Sequence, residues 1–172
     1  MIPTLISLNL SHTKMEVKGA FLLAQYLKLA HKQNKKHILR SLDLSYNDIA
    51  SAGFVKLLSR FKKSTSLNML NFSGNSFVEN QEKFINIEKF LSRNESCKLL
   101  QLSGCKLQAT AMAFIGLGLS KNFTLERIVL SENDFCGRES IHYLVKGLLD
   151  SQVGSKLIDI DLSGNKMKSE TV

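Results

Sequence analysis

Proline is nearly absent from these 172 residues, and the single copy, Pro3, lies outside every helical stretch, so no proline interrupts a helix. Cysteine is scarce and odd in number. Cys97, Cys105 and Cys136 show no paired spacing, which argues against a disulfide framework and for a reducing compartment, hence a cytoplasmic protein. No apolar run approaches the roughly 20 residues that a bilayer demands. The opening MIPTLISLNLSHTK has no basic n-region, long apolar stretch or small-residue cleavage site, so no signal peptide is read. Charged residues make up only 22% against 44% hydrophobic, a balance that excludes a disordered composition and suffices for a core.

Catalytic signatures are equally sparse. His12, His31, His37 and His142 are scattered, with no H-E-x-x-H among them. The glycines of Gly116 to Asn122 have neither Walker nor Rossmann spacing, and no nucleophile–base pair is visible. The expectation is a protein that is not an enzyme, with no cofactor, no metal and no small-molecule substrate.

What the sequence does contain is a repeat. Six segments align on L-x-x-L-x-L-x-x-N-x-L: Leu5 to Met15, Leu39 to Ile49, Leu67 to Phe77, Cys97 to Leu107, Leu125 to Phe135 and Leu157 to Met167. Their starts are 34, 28, 30, 28 and 32 residues apart, and a serine follows the strand in each, from Ser11 to Ser163. The L-x-L core has period two, so it predicts a short strand with one buried face. The Asn position holds Asn47, Asn75, Asn133 and Asn165, with Thr13 and Cys105 as substitutes. A buried Asn can satisfy turn backbone groups, and stacked copies should form a ladder, weaker at Thr13 and Cys105.

Between the strands, Gly19, Leu23 and Leu27 fall four apart, as do Gly53, Leu57 and Phe61, and Ala111, Ile115 and Leu119. The small first residue lets a helix approach the sheet, and the two apolar residues pack on it. The third and fifth helices are expected around 84–91 and 141–149 with a slipped register. Strand–helix units in one direction build a parallel sheet with helices on the other side. The fold class is therefore α/β, a right-handed repeat solenoid. A parallel sheet of about six strands lies on its concave side and helices on its convex side, all in one domain over 1–172.

These motifs, and the G-x-x-x-L-x-x-x-L helices after them, resemble the ribonuclease-inhibitor class of leucine-rich repeats across nearly the whole chain. LNLSHTKM, LQLSGCKL and LDLSYNDI are most similar to the repeat domain of the CARMIL capping-protein regulators. That resemblance implies an interaction scaffold with a protein partner, in cytoskeletal (capping-protein and actin) regulation. The capping-protein-binding segment of that family lies outside its repeats, and nothing like it is found here. RanGAP is similar at the same level and implies the alternative, a GTPase-activating module. Its catalytic arginine has no match, since Arg40 and Arg127 lie on predicted strands without the flanking residues. Neither end carries the polar cap a solenoid needs, so a piece of a longer solenoid, or self-association, is expected.

Two surfaces are candidates for binding. One is basic: residues 1–66 hold 11 Lys/Arg against 3 Asp/Glu, whereas 67–172 hold 12 of each. Lys28, Lys32, Lys35, Lys36 and Arg40 precede or enter the second strand, and Lys56, Arg60, Lys62 and Lys63 take the same place one repeat later. Stacking gathers them at one edge, either as helix-dipole complements that aid solubility or as a site for anionic lipid or another polyanion. The other is the sheet. Strand parity turns outward the column Ser7, Ser41, Met69, Leu99, Arg127, Asp159 and the column Asn9, Asp43, Asn71, Gln101, Val129, Asp161. Met69, Leu99 and Val129 then form an apolar centre with Gln101, Arg127, Asp159 and Asp161 as its rim. Asp159 and Asp161 are also close enough in sequence to suggest a cation site, against the ordinary reading of solvated strand positions.

Four Asn-x-Ser/Thr triplets begin at Asn9, Asn71, Asn94 and Asn122. The repeat itself generates the first two, which therefore say nothing about secretion.

Overall fold

The computed structural model describes residues 5–32, 38–78, 84–151 and 154–166, the side chains of 30–32 excepted. Strand and helix alternate throughout: β1 (Ser7–Asn9), α1 (Glu16–Lys32), β2 (Ser41–Asp43), α2 (Ala50–Phe61), β3 (Met69–Asn71), α3 (Ile85–Leu91), β4 (Leu99–Gln101), α4 (Ala109–Leu119), β5 (Arg127–Val129), α5 (Gly137–Leu149) and β6 (Asp159–Asp161). The strands form one open parallel sheet in sequence order. This is the α/β solenoid that the repeat predicts. Strands stack at about 4.8 Å while helices need 8–10 Å, so the strand side is the inner, concave one.

The pairing register equals the repeat alignment. Ser7 faces Ser41, Ser41 faces Met69, Met69 faces Leu99, Leu99 faces Arg127, and Arg127 faces Asp159. The middle residues of these strands turn inward, with Leu42, Leu70, Leu100 and Ile128 all buried. Gly53, Leu57 and Phe61 of α2 and Ala111, Ile115 and Leu119 of α4 are buried as their spacing predicts. Leu23 and Leu27 of α1 are only partly covered, because α1 has a helix on one side only.

Small residues set how closely helices approach. A Cβ on Gly147 would strike the Gly116 backbone, and one on Gly116 would strike the Tyr143 carbonyl. The α4–α5 contact is therefore backbone against backbone. Phenylalanines fill the volume between α2 and the strand exits: the Phe54 ring stacks on Phe77 at 4.3 Å and meets Phe72 edge-on at 4.9 Å.

The asparagine ladder has the expected form. Asn75 Oδ1 accepts from the Asn47 and Ile49 amides at 3.1 Å, while its Nδ2 donates to the Leu44 and Phe72 carbonyls. Asn47 does the same toward Thr13 and Met15, Asn133 toward Cys105 and Leu107, and Asn165 toward Asn133 and Phe135. Cys105 is the weak step. Its Sγ reaches the Phe72 carbonyl at 3.3 Å, and the Phe77 amide turns to the Cys105 carbonyl instead of a side chain. After the recurrent serine the chain enters a left-handed turn in every repeat, at His12, Tyr46, Gly74, Gly104, Glu132 and Gly164. Glycine takes that conformation freely in three of them, whereas a residue with a Cβ pays about 1 kcal/mol.

Candidate functional site

The sheet face is built by the strand columns, each displaced by one repeat from the next. Met69 and Leu99 are in-register neighbours, both half-buried. Gln101 is half-buried beside them, and Arg127, next to Leu99 on β5, is exposed. Val129 differs from the expectation. It stands in the outward column but is only 7% exposed, so the solvent-facing apolar centre is the Met69–Leu99 pair, not a trio. A short valine lies low between its in-register neighbours Gln101 and Asp161.

The acidic end of this face is occupied by internal contacts. Asp159 Oδ2 pairs with Arg127 Nε at 3.0 Å across adjacent strands. Asp161 Oδ1 accepts the Ser163 amide at 2.9 Å, and this hydrogen bond, with a second from the Ser163 side chain, holds its carboxyl below the usual range. The two carboxylates are thus directed to separate partners. No group of three His, Cys, Asp or Glu that could hold a metal ion occurs among the described residues.

Asp161 belongs to a recurrent turn. Asn9, Asp43 and Asn71 occupy the same column and accept the Ser11, Ser45 and Ser73 amides at 2.8, 2.9 and 2.9 Å. Asn71 also donates to Asp43 Oδ2 at 3.1 Å, joining β2 to β3 on the exposed face. Asn9, Asp43 and Asn71 are therefore held in place before any partner arrives, and the apolar pair begins on β3 beside the last of them.

A second ladder, on the opposite edge, was missed in the sequence. Asn94 Oδ1 accepts the Ser96 and Cys97 amides while its Nδ2 donates to the Phe61 carbonyl at 2.8 Å. Asn122 does the same with Thr124, Leu125 and Leu91. Ser96 Oγ and Thr124 Oγ1 then bond one repeat back, to Ser64 and Asn94. The signal was available: the Asn-x-Ser/Thr triplets at Asn94 and Asn122 lie three residues before a repeat start. Both asparagines are buried with their amides engaged, so these triplets are structural and not open acceptor sites.

The basic edge is described only in part. Lys35 and Lys36 lie outside the described residues, as does the side chain of Lys32. Lys62 is half-buried and Lys63 exposed at the C-terminus of α2, where cations complement the helix dipole. Lys56 Nζ sits 5.9 Å from the Phe21 ring centroid, a cation–π contact between α2 and α1.

The cysteines divide by environment. Burial pushes the thiols of Cys97 and Cys105 up to about 12, whereas Cys136 is exposed. Ellman's reagent at pH 8 should therefore titrate one thiol per folded chain quickly and all three after unfolding. Fast reaction of two or three thiols in the folded protein would contradict the burial of Cys97 and Cys105.

Comparison with known proteins points the same way as the geometry. The family model described as Leucine Rich repeat matches residues 2–24 and 35–58, the first two repeats. No curated protein matches the chain.

Proposed function

We propose that this leucine-rich-repeat protein is a non-catalytic scaffold that binds a protein partner through the concave sheet, centred on Met69 and Leu99. Leucine-rich repeats generally mediate protein–protein interaction, and two repeats of this chain match that family. The observation that carries the reading is the in-register pair Met69–Leu99: two half-buried apolar side chains amid polar columns, flanked by Gln101 and the Arg127–Asp159 ion pair. An apolar centre inside a polar rim is how binding hot spots exclude water. Neighbouring groups are already tied down by turn and ladder hydrogen bonds, so little conformational entropy is lost when a partner docks. No described helix is long and apolar enough to cross a membrane. A cytoplasmic setting accords with three unpaired thiols, and a place in cytoskeletal regulation rests on the likeness of the repeat phrasing alone.

The test is a photo-crosslinking amino acid placed at position 99 or 69 on the sheet, or at exposed Leu117 on α4 as a helix-side control. In a cell lysate, positions 99 and 69 should yield the same covalent adduct and position 117 should not. An adduct formed from 117 and absent from both sheet positions would overturn the reading.

A further inference from the structure

The edge at which the strands enter the sheet, beside Met69 and Leu99, carries cations without acidic partners. Arg40 enters β2, Lys62 and Lys63 follow α2, and Arg93 and Lys98 lie between α3 and β4. The three ion pairs among the described residues are Lys98–Glu126, Lys121–Glu88 and Arg127–Asp159, which leave out Arg40, Lys62, Lys63 and Arg93. Arg40, Lys63 and Arg93 are exposed and Lys62 is half-buried. Against them the same loops set one acidic residue, Glu95. Lys62 and Lys63 complement the α2 dipole, but Arg40 lies at a strand entry, well past the end of α1.

Hydrogen bonds fix these loops to one another. Ser66 Oγ donates to the Leu39 carbonyl at 3.0 Å, next to Arg40. Asn94 Nδ2 donates to the Phe61 carbonyl at 2.8 Å and Ser96 Oγ to the Ser64 carbonyl at 2.9 Å, tying the Arg93 loop to the Lys62–Lys63 loop. The second asparagine ladder thus holds the cations on one rim, and little ordering of the loops remains when anions arrive. The opposite edge has the other sign. There, among the described residues of the second to fifth repeats, Asp48, Glu132, Asp134 and Glu139 outnumber Lys106 and Arg138. The apolar pair therefore has a basic rim on one side only.

Resting on the concave-face reading above, we infer that what docks there is an extended acidic protein segment. It sets an apolar side chain on Met69–Leu99 and its carboxylates on the rim of Arg40, Lys62, Lys63 and Arg93. The argument is charge complementarity: these cations lack partners within the chain, whereas Lys98 and Arg127 are already paired. Arg40 and Leu99 stand on strands two apart, about 10 Å at the usual spacing, which an extended chain crosses in about three residues. The segment therefore carries Asp or Glu about three residues from its apolar anchor. A protein segment fits better than an anionic membrane because Met69 and Leu99 are half-buried on the concave side, where a single side chain reaches and a bilayer surface does not.

Selection of a random displayed-peptide library on the full chain tests this, followed by titration of a synthetic copy of the most enriched peptide. Enriched peptides should place Asp or Glu about three residues from a Leu, Ile, Met or Phe. Arg40→Glu combined with Lys63→Glu should weaken the synthetic peptide at least about tenfold, as should near-molar salt. Lys14→Glu with Lys106→Glu makes the same change of net charge at the other edge and should leave affinity within about threefold of wild type. All four residues are exposed, so both double variants should keep the wild-type melting curve. Leu99→Ala should also weaken the peptide. Peptides that depend on Leu99 but ignore the Arg40–Lys63 reversal would overturn the acidic segment and leave the concave face as the site. Acidic peptides that bind Leu99→Ala as tightly as wild type would overturn it by placing the contact on the rim alone. A selection without acidic peptides would overturn it too, and rim-dependent binding to phosphatidylserine vesicles would then assign the cations to a membrane surface.

Discussion

Asn133→Ala should lower the free energy of unfolding by roughly 3–5 kcal/mol, a large share of what a domain of this size has to lose. The side chain is buried and makes five hydrogen bonds, two accepted from Cys105 and Leu107 and three donated to Leu102, Leu130 and Ser131. Two of those carbonyls keep other donors: Leu130 still accepts from Asn165, and Ser131 from the Gly104 amide. The Cys105 and Leu107 amides and the Leu102 carbonyl lose their side-chain partner where water does not replace it. Each such orphan costs about 1–3 kcal/mol. Thr13→Ala, at the half-exposed end of the same ladder, should cost well under half as much, because water reaches that turn. Urea unfolding of both variants checks the gradient. An Asn133→Ala protein within about 1 kcal/mol of wild type would mean that the ladder is not what holds the strand exits.

The ladder, the strands and their register were legible because they are local and periodic. One alignment of L-x-L with the Asn position five residues after Leu8, Leu42 or their equivalents fixes which side chains point inward, and the structure pairs those same residues. Helices were legible where Gly53, Leu57 and Phe61 or Ala111, Ile115 and Leu119 repeat at four. α5 begins at Gly137, earlier than its apolar spacing indicates, because Ser140 is the residue that faces inward and its hydroxyl caps the Cys136 carbonyl at 2.9 Å. A polar residue on the buried face hides a helix start from any reading based on hydrophobic period. Val129 stands deeper than strand parity indicates, for a related reason. Parity gives the side of the sheet, but depth depends on the length of the neighbours, here Gln101 and Asp161. The Asn94–Asn122 ladder lies outside the strand motif, so an alignment anchored on leucines passes over it, although each asparagine opens an Asn-x-Ser/Thr triplet.

The concave face is the part of the account with functional content, and one substitution examines it directly. Leu99→Asp places a carboxylate at the apolar centre while leaving Leu100 and the rest of the inward row untouched. With the partner captured by crosslinking at position 99, an affinity titration should show a loss of about 2 kcal/mol or more, near thirtyfold in Kd. The melting temperature should correspond to a stability change below about 1 kcal/mol, because Leu99 is only half-buried. Wild-type affinity in a folded Leu99→Asp protein would contradict the claim that partners bind on this face.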